Sequence, residues 1–226
     1  MKNMKKIGVL LSGCGVYDGS EIHEATLALL CLAQANLEAV CFAPNHNQHH
    51  VINHKTGEVS AENRNILVES ARIARGKVED LATVNFQDLD ALLIPGGFGA
   101  AKNLSSWAFQ GAEAEVLPAV KACMQHFISH KKPIVALCIA PTLLAKSLQG
   151  VVVPTLSFGN EARENIRNTH AEIAKTGSTT ISVENMACSV DEKNKIICAP
   201  CYMMDYSIAQ VYVNIQNAVK HLQTWL

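Results

Sequence analysis

No stretch of the sequence is apolar for long enough to cross a membrane. The start, Met1 to Lys6, carries three lysines, but the apolar run behind it is only Ile7 to Leu11 and meets glycines at once. That is too short for a signal peptide or a span, so a cytoplasmic protein with no membrane partner is expected. Neither charge dominates: 19 Lys plus Arg face 20 Asp plus Glu, and the basic residues are dispersed rather than striped. A nucleic-acid partner is therefore not expected. Eight cysteines in 226 residues are too few for a disulfide scaffold, and most sit in apolar segments, as buried free thiols in a reducing compartment do. A second Cys or His pair that would complete a zinc site with Cys198-Ala-Pro-Cys201 is missing. The same CxxC has the spacing of a redox dithiol, although two thiols at a strand end account for it as well. His46, His49, His50 and His54 crowd a polar segment, but without a nearby cysteine or acid they read as a solvated loop. No metal and no cofactor are expected.

What is present is enough apolar residue, 49%, to bury a sizeable core, and residues 1–226 read as a single domain. Lys6 to Leu11, Ala39 to Ala43, Ala91 to Ile94 and Pro133 to Leu137 are short apolar runs with the character of strands. Helical patterns fall between them, over Glu21 to Asn36, Ala61 to Ala74 and Glu113 to His130. Alternation of this kind predicts an α/β protein with a doubly wound, mainly parallel sheet. Ile181 to Val190 and Lys195 to Ala199 read as a strand pair turning at Asp191 to Asn194, ahead of a last helix from about Met204 to Leu222. Ser157 to Gly177 reads as a helical excursion over the sheet.

Ligands of doubly wound sheets bind at the carboxyl ends of the strands, so the residues after each strand matter most. Pro95-Gly96-Gly97-Phe98-Gly99 is one such loop. It lacks the P-loop and dinucleotide fingerprints, which leaves two readings: an oxyanion hole, or a tight turn that only Gly fits. A second loop begins at Cys138, where the strand meets Ile139-Ala140-Pro141 and Pro141 is suited to open a helix. A residue on such an elbow is lifted out of the sheet, and the free N–H groups of the helix would lower a thiol pKa. An ordinary buried strand-end thiol is the competing account. Glu24 shares a helix face with Leu27, Ala28, Cys31 and Ala35, so its carboxylate should point inward. Beside a thiol, such a carboxyl either shares its proton or orients the cysteine. Glu21 lies one turn earlier, where Asp18 or Ser20 can cap the helix and an acid favours its dipole.

Gly13-Cys-Gly-Val-Tyr-Asp-Gly-Ser-Glu-Ile-His-Glu24, Cys41-Phe-Ala-Pro44, Val51-Ile-Asn-His-Lys-Thr-Gly57, Pro95-Gly-Gly-Phe-Gly-Ala-Ala-Lys-Asn-Leu104 and Cys138-Ile-Ala-Pro141 occur in this order. Together they resemble the ElbB-like, isoprenoid-biosynthesis-associated branch of the ThiJ/PfpI superfamily, which has the class I glutamine amidotransferase fold. The resemblance implies a flavodoxin-like sheet in a homodimer, with Cys138 as nucleophile, Glu24 hydrogen-bonded to it and backbone of Gly97 and Ile139 forming an oxyanion pocket. It implies a cofactor-independent glyoxalase that converts glyoxal to glycolate, or a deglycase, acting on a small aldehyde or dicarbonyl. The alternative is a cysteine-based redox sensor or partner-binding protein linked to isoprenoid metabolism, with Cys138 oxidised to a sulfinic acid. Amidotransferases of this fold need a late His-x-Glu pair, which Pro200 to Asp205 lacks, and the peptidase branch has a histidine where this chain has Ile139. Glu21, His23 and His54 are secondary candidates for the pocket.

Overall fold

The computed structural model describes residues 4–226; residues 1–3, with Lys2 of the three lysines at the start, lie outside them. Strands β1 (Lys6–Leu10), β2 (Glu38–Ala43), β3 (Glu79–Asp80), β4 (Ala91–Ile94) and β5 (Ile134–Leu137) run parallel in the order β3-β2-β1-β4-β5. Beyond β5 the same sheet continues through β9 (Ile196–Ala199), parallel to β5, to an antiparallel edge, β8 (Ser189–Asp191). A separate two-stranded sheet pairs β6 (Thr155–Leu156) with β7 (Thr179–Thr180).

The strands are apolar without a break because both faces of the sheet are covered. Along β5, Ile134 and Ala136 face one layer while Val135 and Leu137 face the other. The first layer is filled from α3 (Phe98–Lys102), α4 (Trp107–Gln110), α5 (Pro118–Ser129), α6 (Pro141–Ser147) and α7 (Glu164–Ala174). The second is filled from α1 (Ile22–Gln34), α2 (Ile66–Ile73) and α8 (Ile208–Gln223), with Ala25, Ala28 and Leu32 meeting Val211, Ile215 and Leu222. Full burial of side chains such as Phe42, Phe127 and Leu32 stabilises the fold by about 1.5–3 kcal/mol each.

Four elements are shorter than their patterns predict. The helix expected from Ala61 begins only at Ile66, because the Asn65 side chain accepts the Val68 N–H and residues before it pair with the loop at Gln48. The helix expected from Glu113 begins at Pro118, its lead-in held extended by a bridge between Ser105 and Val116. Of Ile181 to Val190, only the end from Ser189 joins the sheet; Asn185 and Met186 are both left-handed, at φ 52° and 59°, which ends strand geometry. The last helix starts at Ile208 rather than Met204, where Ser207 and Gln210 form a capping box. The excursion after Ser157 does contain a helix, α7.

The chain winds outward from β1 to β3 in one direction and from β4 onward in the other. The loops that follow β1 and β4 therefore meet at the switch between them, and the end of β5 lies next to it.

Candidate active site

β5 delivers Cys138 to this point, and Pro141 opens α6 three residues later. Cys138 is left-handed, with φ 55°, a conformation that costs a side-chain-bearing residue about 1–3 kcal/mol and persists only where its surroundings fix it. Here the Cys138 N–H is donated to the Ala199 carbonyl at 2.8 Å and the Ala140 N–H to Leu137 at 2.9 Å. The turn lifts the thiol out of the sheet, and the residue is 8% exposed. Backbone N–H groups of Ile139 and Gly97 face the sulfur. Gly97 meets the thiol from the end of β4 with φ 96°, and Gly96 before it has no room for a side chain. A Cβ on Gly96 would sit 2.4 Å from the Cβ of Cys138 and 2.6 Å from Glu24 Oε2.

Glu24 is fully buried, as its place on the apolar face of α1 requires. Its Oε2 accepts the Gly96 N–H at 2.9 Å, its Oε1 accepts the Tyr202 N–H at 3.4 Å, and its carboxyl is hydrogen-bonded to the Cys138 thiol. Burial raises its pKa to about 8, helped by the Glu21 charge and opposed by those three hydrogen bonds. The Cys138 thiol is also raised, by burial first and by Glu24 second, while the Ile139 and Gly97 N–H groups pull the other way. This corrects the expectation of a thiol lowered by the helix N-terminus, since two backbone N–H groups do not offset the loss of water around sulfur. Glu24 repels a thiolate only when it is itself ionised, so the pair titrates as one unit that keeps both its protons through neutral pH and gives up the first near 8.

Glu21 caps α1 itself, its Oε2 accepting the Glu24 N–H at 2.7 Å. Asp18 and Ser20 are engaged elsewhere, accepting the Ile52 and Ser12 N–H groups. His23 is exposed, and its Nδ1 lies 2.8 Å from the Tyr202 hydroxyl. His54 is not brought to the thiol; Nε2 accepts the Tyr17 N–H at 3.2 Å, which leaves the proton on Nδ1, 3.0 Å from the Ile52 carbonyl. It fastens the loop after β1. His49 and His50 pack against Phe109 rather than gathering ligands, and among the described residues no three His, Cys, Asp or Glu side chains are grouped to hold a metal. The CxxC is split by the sheet, with Cys198 in the layer of α5 and Cys201 in the layer of α1.

Gly96 and Tyr202 are the contributors that the sequence reading missed. Gly96 was within reach, in the same loop as Gly97; nothing in the sequence marked Tyr202, whose backbone is placed by the turn after β9. Cavities of about 440 Å³, beside His49, Lys102 and Phe109, and about 490 Å³, beside Cys188 and Lys220, are lined by neither Cys138 nor Glu24.

No protein-family model matches the chain. It is 41% identical over 220 residues to the human glutamine amidotransferase-like class 1 domain-containing protein 3, mitochondrial, covering 95% of this chain and 81% of that protein. It is 42% identical to the rat ES1 protein homolog, mitochondrial, covering 95% and 82%. A crystal structure of an isoprenoid biosynthesis protein with an amidotransferase-like domain from Ehrlichia chaffeensis superposes with TM-score 0.89 at 38% identity, covering 98% of this chain and all of that one. Drosophila melanogaster DJ-1beta, 17% identical with TM-score 0.55 over 98% of this chain and 90% of its own, shares the fold. The fold is thus the flavodoxin-like, doubly wound sheet of amidotransferase-like proteins. The cytoplasmic expectation is overturned, because the human and rat relatives are both named as mitochondrial proteins. A short apolar run was too weak a basis for assigning a compartment.

Proposed function

The chain belongs to the family of glutamine amidotransferase-like class 1 domain-containing and ES1 proteins, and on that premise we propose that it is a glyoxalase of the ElbB-like branch, using Cys138 to convert glyoxal to glycolate or to act on related small dicarbonyls. The observation that carries this reading is the buried carboxyl of Glu24 hydrogen-bonded to a thiol that backbone N–H groups face from two sides. Glu24, once ionised, takes the thiol proton as sulfur adds to one aldehyde carbon. The oxyanion of the resulting hemithioacetal forms where the Gly97 and Ile139 N–H groups can donate to it. Removal of the hydrogen on that carbon and its return to the neighbouring carbon give a glycolate thioester, which water cleaves to glycolate and the free thiol. A carboxyl with a pKa of about 8 suits both the acceptance and the return of a proton near neutrality.

The absence of a late His-x-Glu and of a histidine at position 139 favours aldehyde addition over amide hydrolysis. The same reading takes the chain as a single-domain subunit of a homodimer, which light scattering of the purified protein would test. Glyoxal loss and glycolate formation are to be followed with wild type, Cys138→Ala and Glu24→Gln. The reading requires both variants to lose at least two orders of magnitude in kcat/KM; wild-type rates in Cys138→Ala would overturn it.

A further inference from the structure

Cys201 is fully buried, and the proposed reaction makes no use of it. It lies just past the end of β9, which runs beside β5 with Leu137 opposite Ala199. Cys138 follows Leu137, so the two cysteines stand at the carboxyl ends of adjacent strands with an offset of one residue. Pro200 then leaves strand geometry at φ −69° and ψ −21°, and Cys201 opens a short 3₁₀ turn beside the end of β5; a disulfide needs Cα atoms about 4.4–6.8 Å apart.

Local contacts agree with that register. The Cys138 N–H, which binds the Ala199 carbonyl, also faces the Cys201 sulfur. Both residues are left-handed, at φ 55° and 45°, and both side chains enter the layer of α1 and α8. Cys198 faces the opposite layer and reaches neither thiol without crossing the sheet. Cys188 is held at the Asn214 carbonyl at 3.5 Å, while the Asn214 side chain accepts the Cys201 N–H at 2.9 Å. Asn214 thus anchors the Cys201 backbone while holding Cys188.

We propose that Cys138 and Cys201 form an intramolecular disulfide when a hydroperoxide oxidises Cys138. Ionised Glu24 takes the Cys138 thiol proton as the sulfur attacks one peroxide oxygen; an S–O bond forms, the O–O bond breaks, and the leaving oxygen departs as water or alcohol with the proton that Glu24 took. The Cys201 sulfur then attacks the sulfenic sulfur. An S–S bond forms, the S–O bond breaks, and the oxygen leaves as water with the Cys201 thiol proton. Two thiols are oxidised by two electrons and the hydroperoxide is reduced by two. Only Cys138 has to meet solvent, and it is the one of the two that does.

The test treats the full chain with near-stoichiometric hydrogen peroxide, blocks remaining thiols, and reads intact mass and a non-reducing peptide map. Wild type should lose two hydrogens and show the Cys138 peptide joined to the Cys201 peptide, with both thiols recovered by a reductant. Cys198→Ser should keep the link, and Cys201→Ser should instead add oxygen at Cys138. A wild type that gains two oxygens at Cys138 without a linked peptide, or that links Cys138 to another cysteine, would overturn the proposal. The wild-type map decides even if Cys201→Ser fails to fold, and it does not depend on any activity toward glyoxal.

Discussion

Replacing Glu24 by Gln should stabilise the protein while disabling its site, and the gain should grow with pH. Burial holds the carboxyl near 8 in the folded state against 4.5 for the free side chain. Between those values the unfolded chain releases a proton that the folded one retains, so rising pH favours unfolding and the penalty levels off above the folded value. At about 1.4 kcal/mol per unit, the roughly 2.5 units between 4.5 and pH 7 cost wild type about 3 kcal/mol. At pH 5 the cost is under about 1 kcal/mol. Gln has nearly the same shape, its carbonyl oxygen can keep the Gly96 N–H at the position of Oε2, and it cannot ionise. Groups that titrate in both proteins cancel in the difference, which isolates this carboxyl. For a domain of this length, about 3 kcal/mol corresponds to a Tm shift on the order of 10 °C. The assay is urea or thermal unfolding of both proteins at pH 5, 6, 7 and 8. A difference that stays constant across that range, or that shrinks as pH rises, would refute the buried, protonated carboxyl.

Gly96→Ala should cost at least about 2 kcal/mol, because the new methyl meets Cys138 and Glu24 at once, and thermal unfolding would show it as a lowered Tm. Cys138→Gly should be more stable than Cys138→Ala by about 1 kcal/mol, the reverse of the usual order, because φ is 55° there; denaturant midpoints check it. Glyoxal turnover should rise as pH climbs toward about 8, because Glu24 can take the thiol proton only once it has lost its own, a limb to be read from a kcat/KM profile. His54→Ala should loosen the loop after β1 that His54 holds through Tyr17 and Ile52. Its mark would be faster amide hydrogen exchange from Gly13 to Ser20, with β5 unchanged.

The sheet was legible because β1, β4, β5 and β9 are buried on both faces, and such strands are nearly pure apolar sequence. Glu24 was legible for a related reason, as a charge on the apolar stripe of α1. Cys138 could be singled out because a buried strand running into Pro141 leaves few geometries for the residue between. Helix starts were less legible: Asn65 and Ser207 cap by side-chain hydrogen bonds that compete with the apolar pattern.

Sequence alone therefore determined which residues enter the core, the parallel winding that follows, and an elbow thiol with an inward acid, because these depend on local pattern and on the periods of helix and strand. Tertiary structure decided the rest. It set the protonation of the Cys138–Glu24 pair, since desolvation depends on everything packed around it. It also decided which cysteine Cys201 neighbours: not Cys198, its partner in the CxxC, but Cys138 across a strand register, on the same face of the sheet.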